Sequence, residues 1–131
     1  MIGLDTNVLV RYLVQDDPTQ SPVATEIMER RLSGENPGFV SVVAMAEIVW
    51  VLDRAYGLID SEIAATVERM LQADALVVED EQEVFTAMIA LRQGQGSFAD
   101  ALIAALGARA GCSETLTFDQ KAARMAGFTL A

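Results

Sequence analysis

The chain has 131 residues, of which 52% are hydrophobic, and its 19 acidic and nine basic residues give it a net charge of −10. This length suffices for one domain with its own apolar core. The chain has no histidine and one cysteine, Cys112, which excludes an internal disulfide, a cysteine-based zinc site and any nucleophile that needs a histidine base. Metal or acid–base chemistry must therefore use carboxylates.

Nothing in the sequence indicates a membrane segment or a secretion signal. The longest uncharged run, Asn36 to Ala46, is far shorter than the roughly 20 apolar residues that span a bilayer. The first residues, MIGLDTN, lack both the basic region and the small-residue cleavage site of a signal peptide. We therefore expect a cytoplasmic protein.

Strands and helices are predicted to alternate along the chain, with short connections. In chain order the pattern predicts a strand at 1–5, helices at 6–14 and 22–32, a strand at 38–41, helices at 42–56 and 60–72, a strand at 75–79, helices at 80–93 and 98–111, a strand at 114–118, a short helix at 119–126 and a strand at 128–130. The strands are apolar and largely non-alternating, which is typical of a parallel sheet covered on both faces. We expect one α/β domain over residues 1–131, with three layers and a mostly parallel central sheet flanked by helices.

Three acids lie at or near the ends of predicted elements. Asp5 ends the first strand, Asp119 follows the fourth, and Asp100 lies in the first turn of the 98–111 helix. Ligands of open α/β sheets bind outside the carboxyl ends of the strands, which makes these acids candidates for a site. Each also has a structural alternative, since Asp5 and Asp119 could cap the helices after them and Ser97 with Asp100 fits a capping box.

Glu47 is the only charged residue between Phe39 and Leu52. A charge on so apolar a helix is costly to bury without a partner, which favours a cleft where Glu47 faces a metal or other carboxylates. The alternatives are a narrow solvent-exposed edge or an ion pair with an arginine such as Arg54. The acidic runs at 16–17 and 79–83 are expected to lie on solvated surfaces.

Four segments together resemble the PIN-domain family, and specifically the VapC-type toxins of bacterial toxin–antitoxin pairs. They are DTN at 5–7, VSVVAMAEIVWVL at 40–52, FADALIAA at 98–105 and TLTFD at 115–119. The resemblance covers nearly the whole chain and implies a PIN-like domain. It also implies that Asp5, Glu47, Asp100 and Asp119 form a catalytic pocket that holds Mg²⁺ or Mn²⁺. Asn7 and Thr117 would hydrogen-bond these carboxylates without contacting the metal themselves.

By the same resemblance the protein would be an endoribonuclease that cuts structured RNA, often tRNA. The family chemistry uses metal-activated water, so the products would carry 5′-phosphate and 3′-hydroxyl ends. The implied partners are the RNA substrate, a VapB-type antitoxin that blocks the site, often with an arginine, and a second copy in a homodimer.

The acidic net charge argues against nucleic acid, because phosphate binding normally requires a basic patch. RNA affinity would rest on the metal and on a few cations, for which Arg11, Arg92, Lys121 and Arg124 are the candidates. Two other functions stay open. One is a receiver-like domain with a phospho-acceptor aspartate, for which Asp80 and Lys121 could serve. The other is a PIN-fold protein that binds a partner without cutting RNA.

Overall fold

Five short strands and six α-helices alternate along the chain in the computed structural model, which describes residues 1–131. The strands are Ile2–Gly3 (β1), Gly38–Val40 (β2), Leu76–Val78 (β3), Thr115–Thr117 (β4) and Phe128–Leu130 (β5). The helices are Thr6–Val14 (α1), Gln20–Glu26 (α2), Val42–Arg54 (α3), Asp60–Gln72 (α4), Glu81–Arg92 (α5) and Phe98–Arg109 (α6). A membrane span would need a longer and more apolar helix than any of these.

The strands pair in parallel, which confirms the predicted α/β class. β2 lies between β1 and β3, and Gly38 pairs with Ile2 on one side and Leu76 on the other. β4 and β5 form a separate parallel pair, so the expected single central sheet is divided in two. β1 is only two residues long because the chain turns away at Asp5 to start α1.

The apolar core lies between the three-stranded sheet and the helices. Several large side chains in it are almost fully buried, namely Leu9, Met45, Ile48, Leu52, Ile63, Met88 and Phe98. Full burial of a side chain of this size contributes about 1.5–3 kcal/mol. Three of these residues belong to α3, so the core fixes which face of α3 points inward.

Two predicted helices differ from the structure in helix type, whereas the helices predicted at 42–56, 80–93 and 98–111 differ by one or two residues at their ends. The helix predicted at 22–32 begins at Gln20, and its last turn, Ile27–Arg31, is π-helical. Pro22 fits in the first turn because the first N–H groups of a helix have no partner within it. The helix predicted at 119–126 is only one 3₁₀ turn, Ala122–Arg124, before Gly127 adopts a positive φ of 90°.

Candidate active site

Thr6 joins two of the four predicted acids. Its backbone N–H donates to Asp5 Oδ1 at 2.7 Å, and its Oγ1 donates to Glu47 Oε2 at 3.2 Å. Asp5 is the N-cap of α1, as the capping alternative predicted. A carboxylate is stabilised there by the positive end of the helix dipole. At the start of α1, the Asp5 and Glu47 carboxylates therefore contact the same residue, Thr6.

Two side chains anchor the start of α3, which carries Glu47. Ser41 Oγ accepts a hydrogen bond from Ala44 N at 3.1 Å, and Glu79 Oε1 accepts one from Val42 N at 2.9 Å. A serine directly before an apolar helix is a local capping signal. Glu79 has no such signal, because it follows β3 and meets α3 only through the pairing of β2 with β3. Glu79 thus acts as a positioning residue for α3, not as a solvated surface acid.

Glu47 lies on an exposed face of α3, as the solvent-edge alternative predicted, so its charge is not buried and the cost of burying it does not favour a cleft. The same face carries Val43 and Trp50, with 65% and 62% of their surface exposed. Arg54 does not pair with Glu47, because its Nε lies 3.8 Å from an oxygen of Asp53. Glu47 has the Thr6 hydroxyl as its hydrogen-bond partner and no arginine, which leaves its charge available to a cation.

Asp100 is half-exposed in the first turn of α6. Ser97 Oγ accepts from Asp100 N at 3.1 Å, which confirms the serine half of the predicted capping box. The Asp100 carboxylate makes no hydrogen bond of its own within the chain. A cavity of about 350 Å³ is lined by Ala46 and Trp50 of α3 and by Ala99 of α6. Glu47 and Asp100 do not line this cavity themselves; only their chain neighbours Ala46 and Ala99 do.

Asp119 is exposed and belongs to a turn after β4. Its Oδ1 accepts from Lys121 N at 2.8 Å and from Ala122 N at 3.4 Å, so it caps the 3₁₀ turn as the structural alternative predicted. Thr117 Oγ1 accepts from Asp119 N at 3.0 Å and therefore holds the backbone of Asp119, not its carboxylate. No hydrogen bond joins Asp119 to the other three acids.

Asn7 is exposed and does not lie beside the carboxylates, where the resemblance implied it would be. It lines a cavity of about 250 Å³ between α1 and α2, together with Arg11 and Gln20. It makes no hydrogen bond to any of the four carboxylates. Thr6, the middle residue of the DTN segment, was not among the predicted site residues, yet it makes the contact with Glu47.

The donor chemistry of these residues suits Mg²⁺ or Mn²⁺, both of which take oxygen ligands. Nowhere does the structure group three or more Asp, Glu, Cys or His side chains closely enough to form a metal cage. Mg²⁺ commonly binds through one or two carboxylates and keeps several waters. The candidate carboxylates for such a site are Asp5 and Glu47, which both accept hydrogen bonds from Thr6, and Asp100 in the first turn of α6.

Most cations of the chain are engaged in ion pairs. The pairs are Arg11 with Asp16, Arg30 with Glu26, Arg54 with Asp53, Arg92 with Glu68, and Arg109 with Asp80 and Glu83. The hydrogen bond to Glu83 and the charge of Asp80 raise the pKa of Arg109. Two of the four cations expected to contact RNA, Arg11 and Arg92, are thus already paired. Lys121 and Arg124 are exposed and form no ion pair.

A sequence model of the PIN domain matches residues 2–128, which is nearly the whole chain and includes all four predicted acids. No curated protein and no solved structure matches the chain at a significant level.

Changing Glu47 to Gln should leave the fold as stable as before when no divalent metal is present. Glu47 is exposed and lacks an arginine partner, and the amide oxygen of Gln can still accept from Thr6. Surface changes of this kind stay within about 0.5 kcal/mol. Thermal unfolding of wild type and Glu47→Gln in EDTA measures the effect. A drop of several degrees would show that Glu47 stabilises the fold through a charged partner.

Proposed function

Since the chain belongs to the PIN domain family, we propose that it is a Mg²⁺- or Mn²⁺-dependent endoribonuclease. PIN domains are generally nucleases. The observation that supports a site in this chain is that Thr6 donates hydrogen bonds to both Asp5 and Glu47, although Glu47 lies 41 residues further along the chain. The family match also excludes the receiver-like alternative, because a single PIN-domain match covers both the segment with Asp5 and the segment with Glu47.

Each acid has a proposed role in this site. Asp5 and Asp100, at the starts of two helices, are the direct metal ligands, and Glu47 and Asp119 complete the site or orient a water. Thr6 joins the start of α1 to α3 through its hydrogen bond to Glu47. A divalent cation supplies such a site with activated water and with charge that offsets the developing negative charge on phosphorus. No histidine is needed for that chemistry.

The proposed reaction is hydrolysis of an RNA phosphodiester. A water oxygen forms a bond to phosphorus, the bond from phosphorus to the 3′-oxygen breaks, and the 3′-oxygen takes up a proton. The products therefore carry a 5′-phosphate and a 3′-hydroxyl. Because the 2′-hydroxyl is not the nucleophile, no cyclic phosphate is formed. The substrate is a cellular RNA, with a structured RNA such as tRNA as the leading candidate.

We place the protein in the VapC-type toxin group, with a VapB-type antitoxin and a second copy of the chain as partners and the cytoplasm as its location. The resemblance of the four sequence segments supports this assignment. The exposed carboxylates of Asp5 and Glu47 fit inhibition by an arginine, because a guanidinium donates two parallel hydrogen bonds to a carboxylate. Such a contact would also neutralise the charge that holds the metal.

Replacing Asp5 or Asp100 with Asn should abolish cleavage. Both changes keep the side-chain volume and remove the charge that binds the cation, so activity should fall about a hundredfold or more. Total tRNA, incubated with each variant in Mg²⁺ and in EDTA and then analysed by end mapping, measures this. Asp74→Asn is the matched control, because Asp74 is an exposed acid outside the site.

Full activity of either variant would show that the metal lies elsewhere. Binding of tRNA without any cleavage by the wild type in Mg²⁺ or Mn²⁺ would instead identify a PIN-fold protein that binds RNA without cutting it.

Charge removal at the acids should also weaken the complex with the antitoxin. Loss of one partner from a buried charged pair typically costs about 2–5 kcal/mol. Titration calorimetry of the antitoxin against wild type, Asp100→Asn and Asp74→Asn compares the affinities. If Asp100→Asn binds as tightly as the wild type, the antitoxin inhibits by covering the RNA-binding surface and not by filling the acidic site.

A further inference from the structure

Phe118, Lys121 and Arg124 flank one of the proposed site residues, Asp119. We call residues 118–124 the aromatic–cationic segment. None of these three side chains belongs to the apolar core or to the acidic site. Their combination of an aromatic ring with two cations, within a strongly acidic chain, has no structural explanation among the contacts of the protein.

Phe118 is the most exposed large hydrophobic side chain of the protein, with 88% of its surface accessible. It immediately follows β4, and it belongs neither to the apolar core nor to the residues packed against it. An exposed ring offers its faces to a planar partner. Aromatic side chains in this setting serve single-strand-binding proteins as platforms on which nucleobases stack.

Lys121 and Arg124 are free cations in a chain whose other cations are mostly paired. The turn that carries them is well held, because Asp119 Oδ1 accepts from Lys121 N at 2.8 Å and Arg124 N donates to Lys121 O at 3.2 Å. Both cations are therefore kept within one short turn of Asp119. Unpaired cations at this place can contact phosphate without first breaking an ion pair.

We propose that the aromatic–cationic segment is the RNA-binding platform of this protein. Phe118 stacks on a base of a single-stranded segment, and Lys121 and Arg124 contact the phosphates beside it. The inference rests on the proposed ribonuclease function and adds where the substrate is held. It also accounts for RNA binding by a chain of net charge −10, because the positive charge required is local.

A protein partner is the other ligand class that an exposed ring could attract. Leu116, on β4 just before Phe118, is also exposed, and an apolar partner would cover both residues. The two cations favour RNA, because they add a positive charge that an apolar contact does not need. The two ligand classes differ in one respect that can be measured: stacking needs a ring, whereas apolar docking needs only bulk.

The stacking role is tested by the affinity for a short fluorescent oligoadenylate, measured by anisotropy in EDTA so that no cleavage occurs. Phe118→Leu should weaken binding by about five- to a hundredfold, as loss of one base–aromatic stack does, and Phe118→Trp should restore it. Phe85→Leu is the matched control, since Phe85 is also an exposed ring but lies on α5. Because Phe118 is exposed, these changes leave the core intact.

The phosphate contacts are tested by the salt dependence of the same binding. Lys121→Gln and Arg124→Gln should each reduce the slope of log affinity against log salt by about 0.7, the value for one phosphate contact on a single strand. Arg31→Gln, which removes an exposed cation without an ion pair at the end of the π-helical turn, should leave the slope unchanged.

Three results would overturn the platform. They are wild-type affinity in Phe118→Leu, an equal effect of Arg31→Gln and Lys121→Gln, and no measurable binding by the wild type at low salt. A Phe118→Leu or Phe118→Ala variant that binds RNA normally but changes the molar mass in light scattering would assign the ring to a protein contact. Binding that depends on Phe118 without cleavage in Mg²⁺ would keep the platform and refute the nuclease.

Discussion

The parallel register of β1, β2 and β3 is the constraint on which the proposed site depends. Gly38 starts the central strand and pairs with both neighbours. A Cβ atom at this position would lie 2.6 Å from the Leu4 side chain and 2.9 Å from that of Leu32, so a larger residue here would force both leucines to move. Because the strands are parallel, the carboxyl ends of all three meet at one edge of the sheet.

Two of the helices that carry the acids, α1 and α3, begin at that edge. Asp5 leaves β1 and caps α1, Ser41 leaves β2 and caps α3, and Glu79 leaves β3 and caps α3 as well. Because two adjacent strands hold the first turn of α3, its rotation is fixed and the Glu47 side chain is directed to Thr6. The contact between the start of α1 and α3 is therefore a consequence of sheet register, transmitted through helix caps.

Local features of this arrangement could be predicted from the sequence, and non-local ones could not. The caps formed by Asp5, Ser41, Ser97 and Asp119 involve residues at most three apart, so the order of residues reveals them. The contacts Thr6–Glu47 and Glu79–Val42 join distant segments, and neither pattern nor composition contains the register that creates them. The same holds for the division of the strands into two sheets.

Several partners of the acidic residues also lie in distant segments, so the sequence does not reveal them. Asp16, Asp80 and Glu83 pair with arginines, and the Tyr56 hydroxyl donates to Asp16 at 2.8 Å. Asp16 is exposed, as predicted for its run, whereas Asp80 and Glu83 are partly buried. Across the chain, six of the 19 acids form ion pairs, and two of these pairs engage Arg11 and Arg92, which were expected to contact RNA. We propose that the acids of the site bind a metal and that the two unpaired cations of the turn after β4 bind a phosphate backbone.

The central claim is that Asp5, Glu47, Asp100 and Asp119 serve one divalent cation site. Titration of isotope-labelled protein with substoichiometric Mn²⁺, followed by the loss of backbone amide signals in NMR spectra, tests this directly, because a paramagnetic ion broadens only nearby nuclei. The account predicts that residues around positions 5, 47, 100 and 119 broaden together and first, and that Asp100→Asn suppresses the effect at all four. Broadening confined to the acidic residues 79–83, or broadening of the four positions at clearly different Mn²⁺ concentrations, would contradict it.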